Sequence, residues 1–203
     1  MKFRVTPAVP ALLLALAAAP AMADSDIAPG PARYASVSSL NWDLEDGFAE
    51  ASGVRLVLGQ QLSENLSVEL HGGMGGDDNV TLMTTDPTPV AVNGDLGLQQ
   101  LVGLFLRAQW PVTEQVRLFG LVGYSRVKAE FEGAAGFTAG GTALARDGFG
   151  ESESGNSYGG GLEFNVLSGL LDGGLHLTAD YIVYLDRSGA RFDARSVGLK
   201  LAF

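Results

Sequence analysis

A period of two in the apolar residues constrains this chain most. At its end, Val197, Leu199, Leu201 and Phe203 share one face, and Ser196, Gly198, Lys200 and Ala202 share the other. Leu175, Leu177, Ala179, Tyr181, Val183 and Leu185 oppose His176, Thr178, Asp180, Ile182 and Tyr184. Tyr158, Leu162, Phe164 and Val166 oppose Ser157, Gly159, Gly161, Glu163 and Asn165. The first half repeats the pattern with Val54, Leu56 and Leu58, then Leu66, Val68 and Leu70, then Val102, Leu104, Leu106, Ala108 and Trp110. Such alternation is the signature of strands with one apolar face. Residues 33–42 and 116–130 also read as strands, with their facing open.

The eight strands are joined by connections of alternating length. Short turns fall at Ser63 to Asn65, Pro111 to Gln115 and Leu167 to Gly173. Longer polar connections are expected at Asp43 to Glu50, Gly75 to Asp95 and Glu132 to Gly155, with a tighter one at Asp186 to Ala190. An up-and-down meander with short turns at one end and long loops at the other is the outer-membrane pattern. The 28 Gly residues fit a narrow closed barrel, where small side chains relieve crowding. In hydrocarbon every backbone polar group must be paired within the protein, and a closed barrel does this.

The first residues read as a targeting segment. Lys2 and Arg4 precede a short apolar run, Ala11 to Ala19, and Ala21-Met22-Ala23 reads as a cleavage site. The expectation is a signal peptide over 1–23, cleaved after Ala23, and a barrel domain over 24–203. Removing Lys2 and Arg4 makes a formal charge of −10 two units more negative. Such acidity excludes nucleic acid as a partner, since nucleic acid rewards a basic face. The chain has no Cys, so stability must come from its hydrogen-bonded framework rather than disulfides.

Alternation alone does not say which face is inward; a lipocalin-like soluble barrel would turn its apolar face in, around a ligand. The C-terminus bears on this. Phe203, with Leu201, Leu199 and Val197 at alternate positions before it, resembles the C-terminal assembly signal of bacterial outer-membrane barrels. The stretches Leu118-Phe119-Gly120-Leu121-Val122-Gly123-Tyr124-Ser125 and Tyr158-Gly159-Gly160-Gly161-Leu162-Glu163 are similar to strands of the OmpA/OmpX-type small barrels. The resemblance implies an all-β fold, an eight-stranded antiparallel up-and-down transmembrane β-barrel. It also implies the outer membrane of a Gram-negative bacterium, with outer-membrane lipid, lipopolysaccharide and the barrel-assembly machinery as partners, and a monomer. The peptidoglycan-binding domain that often follows an OmpA-like barrel is not expected here. Arg195 departs from the signal, which often continues with an apolar residue; at the outer rim it would cost only about 0–1 kcal/mol.

With the apolar face toward lipid, the charged residues turn inward. Glu69 and Arg107 fall at similar heights near the short-turn end of successive strands, and Glu163, His176 and Lys200 lie near that end of the last three. These residues, with Asp180, are the candidate lumen charge pairs. They form either a static plug or a polar pore lining, and an eight-stranded interior is just wide enough for side chains.

No catalytic residue, cofactor or metal is expected. The acids Asp43, Glu45, Asp46, Asp77 and Asp78 lack a full Ca²⁺-loop pattern and read as solvated charge. His176-Leu177-Thr178 resembles the His-x-Ser element of lipid A deacylases, but Thr replaces Ser and both side chains would face the lumen. The functional expectation is therefore a non-enzymatic barrel with a structural or adhesin-like role through its outer loops. A narrow porin-like channel is the alternative, followed by a lipocalin-like carrier and a lipid A-modifying enzyme.

Overall fold

The computed structural model describes residues 33–44, 49–83, 91–133, 136–137, 143–144, 149–170, 173–187 and 190–203. The targeting segment and the acids Glu45 and Asp46 lie outside the described residues. The strands are β1 (Arg33–Leu44), β2 (Ala49–Ser63), β3 (Leu66–Gly75), β4 (Asp77–Met83), β5 (Ala91–Pro111) and β6 (Val116–Gly133). They continue with β7 (Gly136–Phe137), β8 (Ala143–Leu144), β9 (Phe149–Ser168), β10 (Gly174–Arg187) and β11 (Ala190–Ala202).

The antiparallel order is β3-β2-β1-β11-β10-β9-β6-β5, and β5 also pairs with β3, so the sheet closes on itself. β4 extends the line of β3 along β5 past Gly76, whose N–H donates to the Ser52 carbonyl at 2.7 Å. The result is a closed eight-stranded barrel. The seam between first and last strands is paired from Tyr34↔Ala202 to Leu44↔Phe192, and Arg33 and Phe203 exchange two further backbone bonds. Closure removes the sheet edges, as hydrocarbon requires.

The facing left open by the sequence is settled by burial. In β1 Tyr34, Ser36, Ser38, Leu40 and Trp42 point inward. In β6 Phe119, Leu121, Ser125 and Val127 point inward, while Leu118, Val122 and Tyr124 point out. The outer belt carries Leu58, Leu104, Val122 and Val197 at 55–59 % exposure, large apolar side chains turned to where lipid is the solvent. Trp110 and Phe164 are exposed toward the short-turn end, and Tyr124, Tyr158 and Tyr181 toward the other. Aromatic rings at both interfaces are typical of such barrels.

Two expectations are corrected. The described residues of the connections expected at 75–95 and 132–155 are almost all strand: β4 and β5 pair over Asp77↔Gly97 to Met83↔Ala91, and β6 and β9 as far as Phe131↔Phe149. These segments extend past the apolar belt, where alternation need not match lipid, so their polar composition resembles loop. Second, Leu185 is not on the lipid face but packs in the core, whereas Val183, the ladder partner of Asp193, is buried on the outward side. A register shift between them turns Leu185 into the core. A further shift between Leu98 and Gln100 leaves Gln99 extra in β5. Below it Leu101, Phe105 and Arg107 are buried; above it Leu96 and Leu98 are. One inserted residue reverses every later side chain of its strand.

Candidate functional site

The lumen has two storeys. Toward the short-turn end it holds a continuous ionic and hydrogen-bonded network. Toward the other end it is filled by Leu40, Trp42, Leu98, Leu101, Ile182 and Phe192 among others. The interior is thus not polar throughout, as the alternation had suggested.

The network is built from β-strand positions that alternate with lipid-facing ones. Arg107 on β5 lies across from Ser67, two residues along the ladder from the Glu69↔Phe105 pair. It reaches Glu69 Oε1 through Nη1 at 3.0 Å and Glu163 Oε2 through Nη2 at 2.6 Å. Its guanidinium also stacks 3.8 Å above the Phe119 ring. Glu69 accepts from the Tyr34 hydroxyl at 2.7 Å, and its other oxygen lies 2.8 Å from His71 Nε2. Glu163 is approached by Lys200 Nζ, by Arg117 Nη1 at 3.3 Å and by His176 Nδ1 at 3.3 Å.

A second group lies higher. Arg55 grips Asp180 with two parallel bonds, Nη1 to Oδ1 at 2.9 Å and Nη2 to Oδ2 at 2.5 Å. Its Nη1 also donates to the Tyr184 hydroxyl at 3.0 Å and its Nε to Ser38 Oγ at 3.2 Å. His71 Nδ1 lies 3.2 Å from the same Tyr184 hydroxyl and so joins the groups. Arg55, Arg107 and Lys200 balance Glu69, Glu163 and Asp180, a neutral set whose side chains are at most 6 % exposed. Buried charges persist only when paired and hydrogen-bonded like this.

The space left among these groups is a cavity of about 10 Å³. That is about the least volume that holds one water. Above it Phe105 packs on His71 at 4.3 Å and edge-on to Tyr184 at 5.8 Å. Trp42 stacks on Phe192 at 5.7 Å. Glycine makes room for these rings: a β-carbon at Gly59 would overlap the Tyr34 ring, and one at Gly161 would lie 2.7 Å from Phe119 Cζ.

The structure therefore brings Glu69, Arg107, Glu163 and Lys200 together, and places Asp180 with Arg55. Sequence reasoning did not single out Arg55, His71, Tyr34 or Tyr184. Arg55, His71 and Tyr184 alternate with the apolar residues of their strands, Arg55 between Val54 and Leu56, His71 after Leu70 and Tyr184 after Val183. Their importance comes from partners across the barrel, which no sequence spacing reveals. His176 and Thr178 face inward, with the His176 ring beside Glu163. Asp43, Glu50 and Asp193 meet at one level on β1, β2 and β11, and Asp78 Oδ2 accepts the Glu50 N–H at 2.9 Å.

An apolar belt outside, aromatic rings at its margins and a neutral packed interior define a transmembrane eight-stranded barrel. The chain belongs to the outer membrane protein beta-barrel domain family, whose model matches residues 9–203. Solved structures of similar fold include Ail, the attachment invasion locus protein of Yersinia pestis, in complex with the heparin analogue sucrose octasulfate. It has 16% identity and a TM-score of 0.54, with 86% of this chain and 99% of that one covered. Neisserial surface protein A is similar at 14% identity and a TM-score of 0.55, covering 88% and 100%. OprG from Pseudomonas aeruginosa is similar at 11% identity and a TM-score of 0.53, covering 88% and 99%. At these identities the likeness establishes the shared fold. No curated protein matches the sequence.

Proposed function

We propose that this protein is a non-conducting, non-enzymatic outer-membrane anchor that presents its extended strand ends and loops for surface contact. The packing of the described lumen supports the reading: paired charges leave a space of about 10 Å³ among them, and Phe105, Tyr184 and Leu101 pack above it. Rigid scaffolds with freely varying connections suit binding. Ail was solved with a sulfated ligand. Here acids outnumber bases on the extended strands: Asp77, Asp78, Asp95 and Glu130 stand beside Arg126 and Lys128, and Glu153 is paired with Arg187, so the partner surface is cationic or neutral rather than polyanionic.

Single-channel recording in planar bilayers tests the lumen. The expected result is no discrete conductance steps from the refolded protein; regular steps would favour the channel. Attachment assays with expressing bacteria test the adhesin-like role. Binding to a cationic surface should fall when Asp77, Asp78 and Glu130 are each replaced by Lys, and unchanged attachment would overturn that part.

A further inference from the structure

Above the apolar belt the barrel wall parts between β2 and β4. β2 and β3 are paired as far as Gly53↔Gly75, and the Gly76 N–H adds one more bond, to the Ser52 carbonyl at 2.7 Å. Beyond that level β2 pairs with β1 and β4 with β5, and no ladder joins β2 to β4 among the described residues. A side chain bridges the start of the split. Asp78 Oδ2 accepts the Glu50 N–H at 2.9 Å, in the place a backbone carbonyl would take. Past Asp78, the stretch from Asn79 to Met83 is held along one edge by β5. Val80 turns into the upper core and Thr81 is exposed.

A strand edge without a ladder presents a row of backbone N–H and C=O groups. The last large outward apolar side chains on β2 and β3 below the split are Val54 and Met74, paired across the ladder, so β4 stands beyond the lipid. Short turns mark the periplasmic end of such barrels, which puts this edge outside the cell. The charges nearest to it share one sign: Asp77 and Asp78 on β4, Glu50 across the split and Asp95 opposite Asn79. Arg126 and Lys128 lie on β6, with the whole of β5 between. A second copy of this chain would set the same acids against each other, and like charges on facing strands repel.

We propose that the Asn79–Met83 edge accepts an extended, basic peptide segment of a partner protein as an added strand. Main-chain bonds supply the affinity and alternate side chains the selection. Peptide residues on the face of Val80 meet the upper core and suit small apolar side chains. Those on the face shared by Asp77, Asn79 and Thr81 suit Lys or Arg. The proposal deepens the surface-contact reading above and rests on it for the exposure of these strand ends.

The test uses the refolded barrel in zwitterionic detergent micelles, with empty micelles as the blank. Labelled synthetic peptides are compared by fluorescence anisotropy: alternating Lys and Val, alternating Glu and Val, and the first peptide with Pro in place of Val. The Lys–Val peptide should bind about tenfold or more tighter than either control, in the range of lost charge-assisted and main-chain bonds. Amide hydrogen exchange read by NMR should slow in Asn79–Met83 when it binds. Asp77→Asn combined with Asp78→Asn should weaken it about tenfold on the same grounds, with heat-modifiable migration as the check of folding. Binding that leaves the β4 amides unprotected, equal binding of the Pro peptide, or no binding of the Lys–Val peptide would each overturn the added strand. Attachment of expressing bacteria to a cationic surface without β4 protection overturns this inference alone. Protection of β4 in a protein whose bacteria do not attach upholds it and overturns the adhesin-like role.

Discussion

Arg55 and Asp180 close on each other across the barrel from β2 to β10, although two strands, β1 and β11, separate them around the wall. The pair is bidentate and nearly sealed from solvent, with side-chain exposures of 3 % and 4 %. It ties opposite walls together where neighbouring-strand bonds cannot. Replacing Arg55 by Met leaves a buried carboxylate without its partner. We expect a loss of about 3–5 kcal/mol in urea-unfolding stability, and substantial recovery when Asp180→Leu is added. A double variant as unstable as the sum of the singles would show that the two charges do not depend on each other.

Arg107 serves two carboxylates, Glu69 and Glu163. Arg107→Met should therefore destabilise the barrel more than Glu69→Gln, which leaves Arg107 still paired with Glu163. A double-mutant cycle between these substitutions should show coupling of about 0.5–3 kcal/mol. Strict additivity would contradict the pairing seen across β3 and β5.

The glycines of β2 and β3 divide by what faces them. Gly59→Ala drives a methyl into the Tyr34 ring and should cost about 1–3 kcal/mol, the usual range for overpacking. At Gly72 a β-carbon meets nothing within 4 Å, so Gly72→Ala should be close to neutral. Paired unfolding curves for the two variants check this, and equal destabilisation would mean that Tyr34 moves aside freely.

Phe203 pairs through its backbone with Arg33, at the seam where the last strand meets the first. We propose that it also acts with Val197, Leu199 and Leu201 as the assembly signal. Deleting Phe203 or replacing it by Asp should lower the amount of folded barrel in outer membranes far more than it lowers the stability of barrel refolded in vitro. Quantitative immunoblots of unheated membrane samples measure the first quantity. Wild-type levels there would remove the signal role.

The period-two pattern by itself determined the strand class, the run of barrel strands and the lipid face of every central segment except 33–42 and 116–130, whose facing it left open. It could do so because hydrocarbon imposes one rule on every outward residue of the belt. That rule also put Glu69, Arg107, Glu163 and Lys200 inside, since no lipid-facing position suits them. Where the rule lapses, legibility lapses. Asp77 to Asn79 are strand residues beyond the belt and look like loop. Leu185 and Leu98 are apolar inside as well as beside apolar neighbours outside, so hydropathy alone did not place them. Only the bulges at Gln99 and between Val183 and Leu185, set by how the closed sheet bends, decided their face. The partners of Arg55, His71 and Tyr184 were decided by closure itself. Which residues meet across the lumen depends on the stagger accumulated around the ring of strands, and that sum exists only once the barrel is shut.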